Sequence, residues 1–442
     1  MILKSEEILD MIEQYRPAVE EARKYREFER GNCEIKKKKD NKLGLASNKV
    51  AVNFARKIKA NINGYFFGIP FQIVHKTDEK LQEFFDELFT YNNKDYLITR
   101  LGEELIDVGK AYWLLYIDQE GWLKILPVPL EEIILVKNGR YTDEVDIAIR
   151  YYYIEDRVDN KDILHVEVYT KEEVYFYVES DNGELIMDYS RKNNPAKHIF
   201  GHVPVIEFEN NNGQSEYVDI YDLSNLYNEL FNSGADETED IRNVYLKVVN
   251  ASLDEKTLSR IARTRIIQIE SDNENPADVS FLVKNVNTTS FENYLALIRS
   301  LIFEIACVPD TTNLTQKTQE LSARAMKQLL RELENKCVVK ERNLIHSLYH
   351  FLRVIRRYVV LKAGINYNLS DWDIQFIRNT PTTLTLESID DFVKLKETNL
   401  FDDETLLSFL PFIRDPQNIL EKKKLQDAEE MGIDYFDFHM EA

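Results

Sequence analysis

The chain has 442 residues, 44% hydrophobic and 30% charged, which allows two or three core-bearing units and argues against a disordered polymer. Its formal net charge is −21 and its pI about 4.9. That balance argues against wrapping nucleic acid by phosphate neutralisation, so a polyanion handled by this protein is repelled or touched only locally. Three dispersed cysteines, Cys33, Cys307 and Cys337, form no Cys-x-x-Cys pair and imply neither a disulfide framework nor a zinc ribbon. The charged N-terminus lacks an apolar signal core, and no apolar run approaches the ~20 residues of a membrane span, so a soluble, cytoplasmically made protein with no membrane partner is expected.

In chain order, residues 3–29 read as an amphipathic helix, with Ile8, Met11, Ile12, Tyr15 and Val19 on one face, Ser5 as cap and Gly31-Asn32 as stop. The run Lys36–Lys39 reads as a solvated loop or, alternatively, a nucleic-acid contact. Residues 47–64 show a second helical period through Val50, Phe54, Ile58 and Ile62, entering a tight turn at Gly64–Pro70. Helices are expected over 78–90 and 92–109. The period then changes to short β-branched and aromatic runs at 112–117, 123–127, 133–136, 145–155, 163–169, 174–179, 185–189 and 203–208. Turn residues such as Gln119-Glu120-Gly121 and Asp181-Asn182-Gly183 separate them, which predicts an antiparallel meander on a helical base.

After Asn210–Gly213 a helix is expected to about residue 241, then a compact insert over 244–290. That insert reads as strand 244–249, helix 253–261, strand 265–270 and strand 279–283. A helix follows over 290–306, stopped by Pro309, then a polar loop, then one long helix from Ser322 to Ala363, about 60 Å at ~1.5 Å per residue. A strand at 372–378 and helices near 386–398, 402–410 and 415–430 complete the chain. No repeat of 20–50 residues is visible. Two helices that flank a 45-residue insert must run antiparallel, with the insert at their far end. Charge sorts along them: residues 216–243 carry a local net of −7, and the long helix +7.

Three stretches in this order resemble portal proteins of tailed bacteriophages, of the type found in siphoviruses of Gram-positive bacteria. They are Ser47-Asn48-Lys49 through Gly64-Tyr65-Phe66-Phe67-Gly68-Ile69-Pro70; Cys307-Val308-Pro309-Asp310 with the polar loop and Ser322–Lys327 after it; and Thr405–Pro416. The resemblance covers nearly the whole chain. It implies an α+β portal fold with wing, stem, clip and crown and a very long wing helix. The implied divisions are a wing over 1–216, a first stem helix 217–243, a clip 244–289, a second stem helix 290–309, a tunnel loop 310–321, the long wing helix and strand 322–384, and a crown 385–442. It implies a homo-oligomeric ring of twelve subunits (thirteen as the alternative count in isolation), double-stranded DNA in the channel, and docking of the terminase large subunit and a head–tail adaptor. It also implies contacts with major capsid and scaffolding proteins, and location at the capsid's portal vertex after assembly in host cytoplasm. Where family members often carry glycine before the long helix, this chain has Gln319-Glu320-Leu321-Ser322-Ala323; Ser322 still suits an N-cap.

On this reading, Thr311, Thr312, Asn313, Thr315, Gln316 and Lys317 face DNA in the tunnel loop, with Lys317 its only base. Asp236, Glu237, Glu239 and Asp240 line the stem, where like charge keeps a polyanion sliding, or else form a solvated face. Arg324, Lys327, Arg331, Arg356 and Arg357 form intersubunit pairs or, alternatively, contact DNA within the wing. No Walker A loop, Gly-x-Gly-x-x-Gly, His-Glu-x-x-His or Gly-x-Ser-x-Gly occurs, and no cofactor is expected. His346 and His350 are spaced for a helix-face chelate without an evident third ligand, so no metal is expected. The expected role is structural rather than enzymatic. The alternatives are another ring-forming phage component and a metal-dependent nucleic-acid enzyme.

Overall fold

The computed structural model describes residues 3–39, 46–139, 144–156, 161–242, 245–249, 278–282, 288–310 and 323–378, with Val393, Lys396, Asp402, Asp403, Leu420 and Lys423. The chain divides into two units, Met1–Leu314 with Leu330–Arg378, and Thr315–Leu329 with Asn379–Ala442. In the second unit Lys396 pairs with Asp403 at 3.2 Å. The helices expected at 386–398, 402–410 and 415–430 lie outside the described residues, apart from single helical positions.

In the first unit, helix α1 (Ser5–Glu29) begins on the Glu7 carboxylate, which accepts the Lys4 N–H at 2.9 Å. Ser5, read as the cap, is therefore the first helical residue. The helix lays Ile8 with Met11, Ile12 and Tyr15 on a β-sheet, and turns Tyr25 and Phe28 into the main core. The helix expected over 47–64 is much shorter: α2 spans Phe54–Ile62, capped by the Asn53 side chain accepting from Arg56 N–H, and a single π-helical turn, Asn63–Phe67, follows. Residues 46–53 are extended instead, and Val50, placed on the helix face by its spacing, is 51% exposed.

Helices α3 (Glu79–Tyr91) and α4 (Lys94–Val108) match the expected pair. Asn93, with φ of 53°, makes the corner between them. Gly102 lets α4 approach the π turn, since a Cβ there would stand 2.3 Å from Asn63 Oδ1 and 2.7 Å from the Phe67 ring.

The meander forms as expected. Strand β1 (Gln72–His75) is followed by β2 (Lys110–Ile117), β3 (Leu123–Val128), β4 (Ile133–Lys137), β5 (Val145–Asp156), β6 (Lys161–Tyr169), β7 (Glu173–Glu179), β8 (Leu185–Met187), β9 (Ala196–Lys197) and β10 (Val205–Glu209). Strands β10, β2 and β3 make one antiparallel sheet; β4 to β8 make a second in chain order, with β9 pairing β7. The outer edge of β3 is blocked by side chains: Asn92 donates to Leu123 O and accepts from Ile125 N–H, both at 2.8 Å, Tyr358 Oη accepts from Leu123 N–H, and Pro127 has no N–H to offer. Such blocking keeps an edge from recruiting a foreign strand.

The remaining elements are α5 (Tyr221–Arg242), β11 (Tyr245–Val249), β12 (Asp278–Leu282), α6 (Thr288–Ile305), the 41-residue α7 (Ala323–Ala363) and β13 (Trp372–Gln375). β11 pairs antiparallel with β12, and β13 with β1. The helix and strand expected at 253–261 and 265–270 lie outside the described residues. Helix α7 packs Leu344, Leu348, Phe351, Leu352 and Ile355 into the main core against Trp113 and Phe89, and Gly364, at φ 72°, ends it.

Candidate functional site

Helices α5 and α6 pair in opposite directions. Gly234 of α5 meets Phe291 at the start of α6, and Tyr227, seven residues earlier, meets Arg299, eight residues later. A Cβ on Gly234 would lie 2.4 Å from the Phe291 ring, so the glycine is a notch for that ring. At its C-terminal end α6 closes with Cys307 in the left-handed region (φ 56°), Cys307 N–H donating to Glu304 O and Val308 N–H to Phe303 O. Pro309 then prevents continuation. Asp310, just beyond, holds Arg299 through two hydrogen bonds of 2.7 and 2.9 Å.

A second side of α5 carries the extended segment 46–53. Val52 N–H donates to Asn228 Oδ1 at 2.7 Å, Val50 N–H to Asn232 Oδ1 at 2.7 Å, and Asn48 N–H to Asp236 Oδ1 at 2.6 Å. Asn232 Nδ2 also donates to Val50 O at 2.7 Å. Four helical residues advance ~6.0 Å and two strand residues ~6.6 Å, so every fourth helix position can serve every second strand amide. Asn228 and Asn232 are fully buried. Their amides satisfy backbone groups that would be costly to bury unpaired.

The base of α5 is tied to the long helix by charge. Glu216, buried just before α5, accepts from Lys336 and Lys340 of α7 and from Asn210. Lys336 also donates to Ala306 O at the end of α6 at 2.9 Å, and Lys340 to Asn210 Oδ1 at 2.9 Å. Two lysines of one helix therefore tie the start of α5 to the end of α6, at one end of the antiparallel pair. Burial opposes ionisation of Glu216, but Lys340 and Lys336 outweigh it and hold its carboxyl down to about 2.

Of the expected stem carboxylates, Asp236 and Glu239 bind within the chain. Asp236 takes the Asn48 amides and Lys38 at 3.3 Å, and Glu239 accepts from Asn48 Nδ2 at 3.2 Å. For Asp236, partial desolvation is outweighed by those Asn48 bonds and by Lys38, which hold it below its ordinary value. Glu237 is half-buried, and the Asp240 side chain lies outside the described residues. Thr311, Thr312, Asn313, Thr315, Gln316 and Lys317 also lie outside them, as do the side chains of Arg324 and Lys327 on α7. Arg331, Arg356 and Arg357 are exposed on α7. Arg356 donates to Asn366 Oδ1 at 2.9 Å, and the Arg357 guanidinium lies against Gly201. His346 and His350 share a cleft with His202, but among the described residues no group of three ligands is placed to hold a metal. No helix among the described residues is long and apolar enough to cross a membrane.

Sequence reasoning missed the Glu216–Lys336–Lys340 cluster and the asparagine rungs. The available signal for the rungs was Asn228, Asn232 and Asp236 at strict four-residue spacing, because residues that disfavour helix interiors rarely recur there without a partner.

The family model described as "Phage portal protein, SPP1 Gp6-like" matches residues 6–434. The chain is similar to the portal protein of Bacillus phage SPP1, 24% identical over 384 residues that cover 83% of this chain and 74% of that one. Among solved structures it is similar to a chain in the neck of an empty GTA particle computed with C6 symmetry, with 10% identity, TM-score 0.41, and coverage of 80% of this chain and 88% of that chain. The matched span takes in the meander, both paired helices and the long helix, and the chain belongs to the SPP1 Gp6-like family of phage portal proteins, structural and non-enzymatic components of the virion's head–tail connector.

Proposed function

We propose that this subunit closes into a ring, of twelve copies in the particle, at one vertex of the capsid, and that the ring conducts double-stranded DNA inward during packaging and outward during ejection. Residues 1–216 form the wing, α5 and α6 the stem, 244–289 the clip, and 310–321 the tunnel loop. The helix from 322 crosses the wing, and the residues after 385 form the crown. The clip seats the terminase large subunit during packaging and the head–tail adaptor afterwards, and the wing meets the major capsid and scaffolding proteins.

The observation that supports this reading most is the antiparallel α5–α6 pair, notched at Gly234, with an insert closed by β11 and β12 between its helices. Such a rod with a tip is what the barrel of an annulus requires of each subunit. The family membership stated above supports it independently.

Imaging of the purified protein by electron microscopy, with mass photometry alongside, tests it. The expected particle has a central hole and a mass of about 620 kDa for twelve 52.0 kDa subunits, or about 680 kDa for thirteen. Protein that stays a 52.0 kDa monomer at high concentration overturns the proposal.

A further inference from the structure

Helix α3 carries a ladder of like charges on its outer face. Glu79, Glu83 and Glu87 follow one another at four-residue spacing, all exposed, with Asp86 beside them. Carboxylates so spaced repel one another and destabilise their helix. None of the three glutamates has a hydrogen bond or ion pair among the described residues, and Asp86 accepts from Gln82 Nε2 at 3.1 Å. The bases beside the ladder are Lys80, exposed in the first turn, and Lys94, which lies over the Phe71 and Phe89 rings and feels Asp86. Four carboxylates thus stand against two ammonium groups on this face.

Helix α7 carries the opposite charge. From Arg342 to Ala363 it has four arginines, one lysine and no carboxylate. Arg342, Arg353, Arg356 and Arg357 are exposed, and at 3.6 residues per turn they fall within one arc of roughly 100°. None of the four has an ion pair among the described residues. Asn366 steadies Arg356, and Arg357 is seated against Gly201. Lys362, off this arc, lies over the Trp122 ring. The carboxylates of the cleft beside Arg353 are already answered: Glu144 by Lys171 at 3.7 Å, Glu207 by Lys137 at 2.7 Å and Glu209 by Lys110 at 2.6 Å.

The two faces look in opposite directions. Between α3 and α7, Phe89 meets Phe351 with ring centroids 6.1 Å apart. Phe89 follows Glu87 by two residues and Phe351 precedes Arg353 by two, about 200° around each helix. Glu87 therefore points away from α7, and Arg353 away from α3, so the charges cannot meet within one chain. We propose that the outer face of α3 in one copy lies on the arginine face of α7 in the next, where Arg353, Arg356 and Arg357 receive Glu79, Glu83 and Glu87. Arg353 and Arg357 stand about 6.0 Å apart along their helix, the step of the glutamate ladder. Arginine also suits nucleic-acid phosphate, but a chain of net charge −21 repels a polyanion at long range, whereas every further copy brings an acidic ladder of matching step. The contact joins two different patches, so it is head-to-tail, the kind that generates rings when its rotation closes. It rests on the ring reading above and names the surfaces that join neighbouring subunits.

The test uses the full chain, with assembly followed by mass photometry across a concentration series. Arg353→Glu combined with Arg357→Glu raises the concentration for half-assembly about tenfold or more, and so does Glu83→Arg combined with Glu87→Arg. All four changes together restore assembly to within about threefold of the parent, because the charges again oppose. As a second readout, a Cys307→Ser chain carrying both Glu83→Cys and Arg353→Cys, treated with a short bismaleimide, gives a ladder of covalent multimers, and neither cysteine alone does. Three results overturn the contact alone: parent rings with reversal variants that assemble normally, a combined variant no better than the worse pair, or rings of the double-cysteine chain that stay uncross-linked. So does duplex DNA held on filters by the parent and released by the arginine pair while assembly is unchanged, which gives this face to phosphate. A parent that never assembles overturns the ring reading and this contact together.

Discussion

Replacing Glu216 by Gln tests the charge cluster that grips the base of the paired helices. Lys340 is 5% exposed and its ammonium is held by Glu216 and Asn210, whereas Lys336 is partly exposed and can turn to water. The substitution therefore strands one buried charge, which costs about 3–5 kcal/mol. A second route gives the same size. The Glu216 carboxyl is held at about 2, against an ordinary value near 4.5. A gap of that size is worth on the order of 3 kcal/mol when the carboxyl is ionised. The folded value is depressed, so this contribution is present above pH 4.5 and is lost as pH falls through about 2.

Urea unfolding read by tryptophan emission provides the assay, because Trp113 and Trp372 are buried in the core that α7 shares. Glu216→Gln lowers stability at pH 7 by about 3–5 kcal/mol and flattens its decline between pH 4.5 and 2. The deficit shrinks as pH rises toward 10, since burial depresses the stranded Lys340 and an ammonium that deprotonates in the fold no longer carries the penalty. Adding Lys340→Met recovers about 2 kcal/mol by removing the orphaned charge. A loss below about 1 kcal/mol, or a double variant as unstable as the sum of its single changes, would refute the reasoning.

Two further outcomes are expected from single side chains. Asn232→Ala removes both bonds to Val50, leaving its N–H and C=O unpaired at a cost of about 1–3 kcal/mol, and hydrogen exchange at the Val50 amide accelerates while exchange in β5 is unchanged. His350→Gln changes the acid limb of stability. Burial, then Arg353, lowers His350 from 6.5 to about 4, so the contribution of the neutral ring is complete above pH 6.5 and lost as pH falls through 4. The variant lacks that decline, on the order of 2 kcal/mol after allowance for partial exposure, in matched melts from pH 7 to 4.

The meander and the long helix were legible because their causes are local. Val145–Tyr153 alternates, its turns carry glycine and asparagine, and α7 has an unbroken apolar stripe ended by Gly364. Residues 47–53 misled for a physical reason. Val50, Phe54, Ile58 and Ile62 fit the helical period, yet the amides of Asn48, Val50 and Val52 are taken by side chains 176 to 188 positions away. Local periodicity carries no information about such partners. The charge sorting was legible in sign but not in direction: Glu216, counted with an acidic stem, faces inward to the basic helix and neutralises part of it.

Two neighbours now fix which side of α5 is free. Gly234 and Tyr227 face α6, Asn228, Asn232 and Asp236 face the extended segment, and Asp222, Leu226, Glu229 and Ser233, at four- and three-residue spacing, are the exposed stripe. On the proposed channel reading, repulsion of DNA by this helix belongs to Asp222 and Glu229, because Asp236 is already answered by Asn48 and Lys38. Changing Asp222 and Glu229 together to Lys turns the stripe attractive, and rings carrying it retain duplex DNA on filters at low salt and release it as salt rises. Asp236→Lys instead frees the Asn48 end of the extended segment, detected as faster exchange of the Asn48 amide, without DNA retention. Retention by the Asp236 variant and not by the stripe variant would assign the channel wall to the other side of the helix.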